Sequence, residues 1–110
     1  MRNLAYLSLA AFIVAGCAKS PESIAPAYVS QLNYQNLTCQ QLAEENARLT
    51  QALAVASKQQ QNARTNDTVG VILLGLPVSS LSGDNIAPQI ADEKGQIEAI
   101  RQRQLAMGCK

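Results

Sequence analysis

Three thiols, Cys17, Cys39 and Cys109, are the most reactive groups in this 110-residue chain. A thiolate can ligate a metal, attack an electrophile or join a disulfide. The chain has no histidine, so the commonest general base and the usual nitrogen ligand are both missing. No two cysteines stand in the Cys-x-x-Cys spacing of a thioredoxin-type redox site. The carboxylates offer no better pairing. Glu44 and Glu45 are adjacent, as are Asp92 and Glu93, and neighbours on a helix point to different faces. Ser79, Ser80 and Ser82 lie in a Gly/Pro stretch with no Lys or His beside them to activate a hydroxyl. Neither a phosphate-cradling glycine loop nor a calcium loop occurs. The expectation is a protein that is not an enzyme and carries no cofactor and no metal.

The thiols differ in context. Arg2 precedes an almost unbroken apolar run from Leu4 to Ala15, about a dozen residues, which suits the core of an export signal and is too short to span a bilayer. The run ends in Val14-Ala15-Gly16-Cys17. This resembles the lipobox of bacterial lipoproteins: Val14 at the aliphatic position, Ala15 and Gly16 as the small pair, Cys17 as the modified residue. The resemblance implies removal of residues 1–16, acyl chains on Cys17, and the lipid bilayer as partner. The competing reading is an ordinary secretory signal or an uncleaved anchor. Each buried CH₂ of an acyl chain contributes roughly 0.8 kcal/mol to membrane binding. Ala18 and Lys19 follow; the Asp that retains such proteins in the inner membrane of enteric bacteria is absent, which favours the periplasmic face of the outer membrane.

With Cys17 acylated, Cys39 and Cys109 remain as an even pair in an oxidising compartment. They could also be a reduced dithiol or two metal ligands, but a metal would need more donors nearby. A structural disulfide is the favoured expectation. Of nine basic residues, Arg2 leaves with the leader, so eight face eight acidic ones in the mature chain. That neutrality argues against nucleic acid as a partner. Tyr28 and Tyr34 are the only aromatics after residue 16, which leaves almost no stacking surface. A core this small rarely stabilises itself without a staple.

The elements that must position the two cysteines read as helices. Residues 17–36, with Pro21 and Pro26, read as a tether and irregular segment. Thr38 and Gln41 form a capping box, and Leu37 and Leu42 occupy the two positions of a hydrophobic staple. Helix is predicted from Cys39 to about Arg64, with a narrow seam at Cys39, Leu42, Asn46, Leu49, Leu53, Ala56, Gln60 and Ala63. Glu44 and Arg48 are spaced for an i,i+4 pair. Thr65-Asn66-Asp67 is expected to interrupt or re-cap the helix. A second helix is predicted over about 85–107, with Ile86, Ile90, Ile97 and Ile100 on one face extended by Met107. Asp84 or Asn85 can cap it, Pro88 falls in the first turn, and Gly108 is the stop. Gly95 offers a place for the partner helix to come close. Cys39 opens the first helix and Cys109 follows the last, so only an antiparallel hairpin brings them together. The expected fold is all-α, a hairpin spanning 37–110, with helices of nearly equal length.

Between the helices, residues 69–83 are the most apolar part of the mature chain, including Val71, Ile72, Leu73, Leu74 and Leu76. Two readings are open: a short third helix folded back on the hairpin, or a surface that meets a bilayer or a protein. The ensemble of lipobox, Leu37-Thr38-Cys39-Gln40-Gln41-Leu42-Ala43-Glu44-Glu45, the Gly75-Leu76-Pro77 middle, and Lys94 to Ile100 before Gly108-Cys109 resembles a family of short proteobacterial lipoproteins. Many of these carry an aromatic beside the middle proline, which is absent here. The resemblance implies an anchored helical hairpin and brings no activity with it. Three functions compete: an envelope lipoprotein with a structural role or a protein partner, a membrane-perturbing lipoprotein of the lysis or release type, and a small module binding an apolar ligand between the helices.

Overall fold

A computed structural model describes residues 18–76, 83 and 85–110. Residues 1–16, expected as an export signal, Cys17, Asp84 and the serines at 79, 80 and 82 lie outside the described residues. Among those described, the fold is all-helical. Two helices, α1 (Cys39–Leu74) and α2 (Ala87–Met107), pack against each other. Cys39 and Cys109 form a disulfide with their Cα atoms 5.6 Å apart, joining the start of α1 to the residue beyond α2. The antiparallel hairpin expected from the cysteine placement is therefore present.

The capping box forms as the sequence predicts. The Gln41 N–H donates to Thr38 Oγ1 at 3.1 Å, and the Thr38 N–H donates to Gln41 Oε1 at 2.9 Å. Leu37 packs beside Leu42 in the staple. Gly108 closes α2 in the left-handed region, φ 70°, with the Cys109 N–H donating to Gln104 O at 2.9 Å. The N-cap of α2 is Ile86, which makes no side-chain capping bond, in place of the expected Asp84 or Asn85; Asn85, one residue earlier, accepts the Ala87 N–H at 3.3 Å.

The first helix does not end near Arg64. It continues unbroken through Thr65-Asn66-Asp67 to Leu74 and stops at Gly75, φ 73°. The hydroxyls of Thr65 and Thr68 donate to the carbonyls of Gln61 and Arg64, at 3.0 and 2.9 Å. These contacts back onto the preceding turn are compatible with helix. Asp67 is turned inward, where it accepts the Ala18 N–H, and the helix runs on past it. At 1.5 Å per residue α1 is roughly 54 Å long and α2 roughly 32 Å. The helices are thus unequal, and the end of α1 overhangs.

The largest departure concerns residues 18–36, expected as a tether. They lie along the hairpin as a third layer. Pro21 and Ile24 are buried, and the 3-10 turns Pro21–Ser23 and Gln31–Tyr34 pack on α1 and α2 respectively. Two apolar clusters result. One joins Ile24, Ala56 and Ile90, with Leu53, Ile86, Ala87 and Ala91 against it. The other joins Leu42, Leu49 and Ile100, with Tyr34, Leu37, Ile97 and Cys109. A two-helix seam leaves each helix half-covered, and the N-terminal segment supplies the missing apolar side. Met107, expected to extend the α2 face, is exposed.

Candidate functional site

The N-terminal layer is held by polar groups that the periodic pattern could not reveal. The Lys94 ammonium donates to Pro21 O at 2.6 Å and Ile24 O at 2.7 Å. The Ala27 N–H donates to Ala91 O at 2.8 Å. Gly95 faces this crossing: a Cβ built on it would lie 2.1 Å from Ala27 O. Its close approach is therefore to the N-terminal segment, in place of the partner helix that the sequence suggested. Towards the disulfide, the Tyr34 hydroxyl donates to Gln96 Oε1 at 3.3 Å. Burial, with Glu45 and Asp92 adding negative charge, raises the Tyr34 pKa above its ordinary value of 10.0.

Two fully buried polar side chains lie at the other end. Gln60 occupies a seam position and joins three stretches of chain. Its Nε2 donates to Lys19 O and Asn85 Oδ1, both at 2.9 Å, and its Oε1 accepts the Ile86 N–H at 2.8 Å. Every one of these bonds is intramolecular, so this polar seam residue is taken up within the hairpin. Seven residues on, Asp67 accepts the Ala18 N–H at 2.8 Å. Ala18 is itself buried. A carboxylate removed from water is tolerated only where donors replace its hydration, and the residue following Cys17 is one that does so. Asp67 and Ala18 therefore fix where the chain leaves the fold toward Cys17.

Beyond Asp67 the helix end is apolar. Of the five residues singled out as an interaction surface, Ile72, Leu73 and Leu74 are at least 70% exposed and Leu76 is 52% exposed, while Val71 is half-buried. Val69 is exposed as well. The reading of 69–83 as a separate helix folded back on the hairpin is thus corrected for its first part: Val69 to Leu74 are the closing turns of α1. From Thr68 to Gly83 the sequence has no charged side chain, whereas Lys19 and Arg64 are exposed just behind. No helix among the described residues is long and apolar enough to cross a membrane.

Other surface charges pair locally. Arg48 bonds Glu45 at i,i+3, with Nε to Oε2 at 3.1 Å and a second contact from Nη2 to Oε1. The expected partner Glu44 instead accepts from Gln40 Nε2 at 3.2 Å. Arg101 pairs with Glu98 in the same way. The arginines hold the carboxyls of Glu45 and Glu98 below their ordinary range, chiefly through these hydrogen bonds. No group of three or more His, Cys, Asp or Glu side chains able to hold a metal ion occurs among the described residues.

No family model, curated protein or solved structure matches this chain.

Proposed function

We propose that this chain is a small lipoprotein of the bacterial envelope, anchored to a lipid bilayer through acylated Cys17. Its role is structural or that of a docking surface for an envelope protein, and it is not an enzyme. The observation that carries this reading is the bond from the Ala18 N–H to buried Asp67. The folded body reaches the residue next to the lipobox cysteine, where a mature lipoprotein would begin. The disulfide supports export, since such bonds persist in oxidising compartments. The missing Asp after Cys17 favours the periplasmic face of the outer membrane.

The reading is tested by the mass of the mature product and by fractionation. Acylation at Cys17, with membrane association lost in Cys17→Ser, is the supporting result. An unmodified, water-soluble amino terminus would refute it. Crosslinking in the intact envelope then identifies any protein partner.

A membrane-perturbing role is the second reading, favoured by the exposed Ile72, Leu73 and Leu74. Leakage of vesicles or cells on accumulation of the acylated protein supports it, and harmless accumulation counts against it. The ligand-binding reading has less to stand on, because the chain's own Pro21 and Ile24 occupy the groove an apolar ligand would need.

A further inference from the structure

The acylation site and the apolar overhang were separate features of the sequence, and the fold brings them to one end. The Ala18 N–H lies 2.8 Å from Asp67 Oδ2. Consecutive Cα atoms are 3.80 Å apart across a trans peptide, so any chains carried by Cys17 start within one residue of that point. Leu73 is six residues further along α1, roughly 9 Å at 1.5 Å per residue. Gln60 Oε1 holds the Ile86 N–H, which sets the start of α2 level with Gln60. About 14 residues of α1 therefore extend beyond α2, roughly 21 Å. The far end of that extension carries exposed Val69, Ile72, Leu73, Leu74 and Leu76.

We propose that the overhanging end of α1 is buried in the same bilayer that holds the acyl chains of Cys17, so that the hairpin stands tip-down with its disulfide end directed away from the lipid. This rests on the lipoprotein reading above. Three observations favour lipid as the occupant. The exposed side chains at the tip are aliphatic and unaccompanied by charge from Thr68 to Gly83. Arg64, one turn behind Asp67, and Lys19, whose carbonyl is held by Gln60 about two turns behind it, are both exposed, on the side where a tip immersed to Thr68 would meet phosphate headgroups. Finally, the residues after Cys17 form no slack linker: Ala18 is bonded to Asp67 and Lys19 O to Gln60. The body cannot swing its tip away from an anchor attached at that spot. An apolar helix end held this close to a bilayer lies at the headgroup and acyl boundary, as interfacial helices do.

Because the chain has no tryptophan, a single introduced indole is a unique reporter. Leu73→Trp marks the tip and Leu105→Trp the disulfide end; both positions are exposed and tolerate the larger ring. Each variant, expressed with its own leader and purified as the acylated product, is placed in vesicles of phosphatidylcholine and phosphatidylglycerol with brominated acyl chains. The proposal expects blue-shifted emission quenched severalfold at position 73, and no quenching at position 105. An indole at 73 that is unquenched and water-like overturns it. So does one that is blue-shifted but unquenched, which would mean that protein, such as a second copy, covers the tip. Mass spectrometry of the same sample separates the failures. An acylated but unquenched protein refutes the orientation alone, whereas an unacylated product refutes the anchor on which it rests. Intact helicity and disulfide in both variants exclude misfolding.

Discussion

Asp67 accepts the backbone N–H of Ala18 across 49 residues of sequence, at 2.8 Å and in a fully buried setting. The bond determines where the chain enters the hairpin, so removing it should loosen the N-terminal layer before it loosens the helices. Asp67→Ala leaves the Ala18 N–H buried without this acceptor, at a cost of roughly 1–3 kcal/mol. Asp67→Asn keeps a carbonyl oxygen and should cost less. Chemical denaturation measures both. Hydrogen exchange should show faster exchange at Ala18 in the alanine variant, with the amides near Leu49 and Ile100 unchanged. Equal protection of Ala18 in the two variants would contradict the assignment.

Gly95→Ala opposes two effects of known sign. Alanine is favoured over glycine in a helix interior by about 1 kcal/mol. The added Cβ would sit 2.1 Å from Ala27 O, a backbone atom of a segment tied by Ala27 N–H to Ala91 O. Overpacking of this kind costs typically 1–3 kcal/mol, so the clash wins. The variant should melt lower than the parent and expose the segment around Ala27 to proteolysis. A higher melting temperature would show that the N-terminal layer does not lie on α2.

Reducing the Cys39–Cys109 bond opens a loop of 70 residues. On the chain-entropy model the loss is about 4 kcal/mol. Urea unfolding with and without reductant should show a midpoint shift of corresponding size. Cys39→Ser and Cys109→Ser should each match the reduced parent, and the double variant should add nothing further.

The chain has no histidine to titrate near neutrality. Glu45 and Glu98 have folded pKa values below their ordinary 4.5. Their contribution is present above 4.5 and is lost as pH falls through the folded values. Both pairs are solvent-exposed, so the acid loss is small. Tyr34 acts at the other limit. Its folded pKa is raised above 10.0, so the neutral phenol is favoured in the fold. That stability is complete below 10.0 and declines as pH climbs through the folded value. Absorbance titration of the folded and denatured protein should show Tyr34 ionising later when folded, and Tyr34→Phe should remove the difference.

The local grammar of the chain was legible from one dimension. The Thr38–Gln41 box, the seam from Leu42 to Ala63, the stop at Gly108 and the pairing of Cys39 with Cys109 all rest on short-range spacing or on counting thiols. These signals carry their physics within a turn or two of helix. The seam also continued where the sequence seemed to break it: Asp67 follows Gln60 and Ala63 on the buried face. A polar residue at that register reads as an interruption until its donor is known.

What residues 18–36 do could not be read the same way. They have no helical or strand period, because their positions are set by α1 and α2 rather than by their own repeats. Pro21 and Ile24 are buried and their carbonyls taken by Lys94 across 73 and 70 residues of sequence, contacts that no local pattern encodes. The same tertiary bonds decide that Ala18 meets Asp67 and that the residue after Cys17 and the aliphatic end of α1 share one end of the molecule. Sequence determined which groups exist and that two helices carry most of them. Only packing decided their company, since a buried N–H or carboxylate takes whichever partner the folded chain brings within 3 Å.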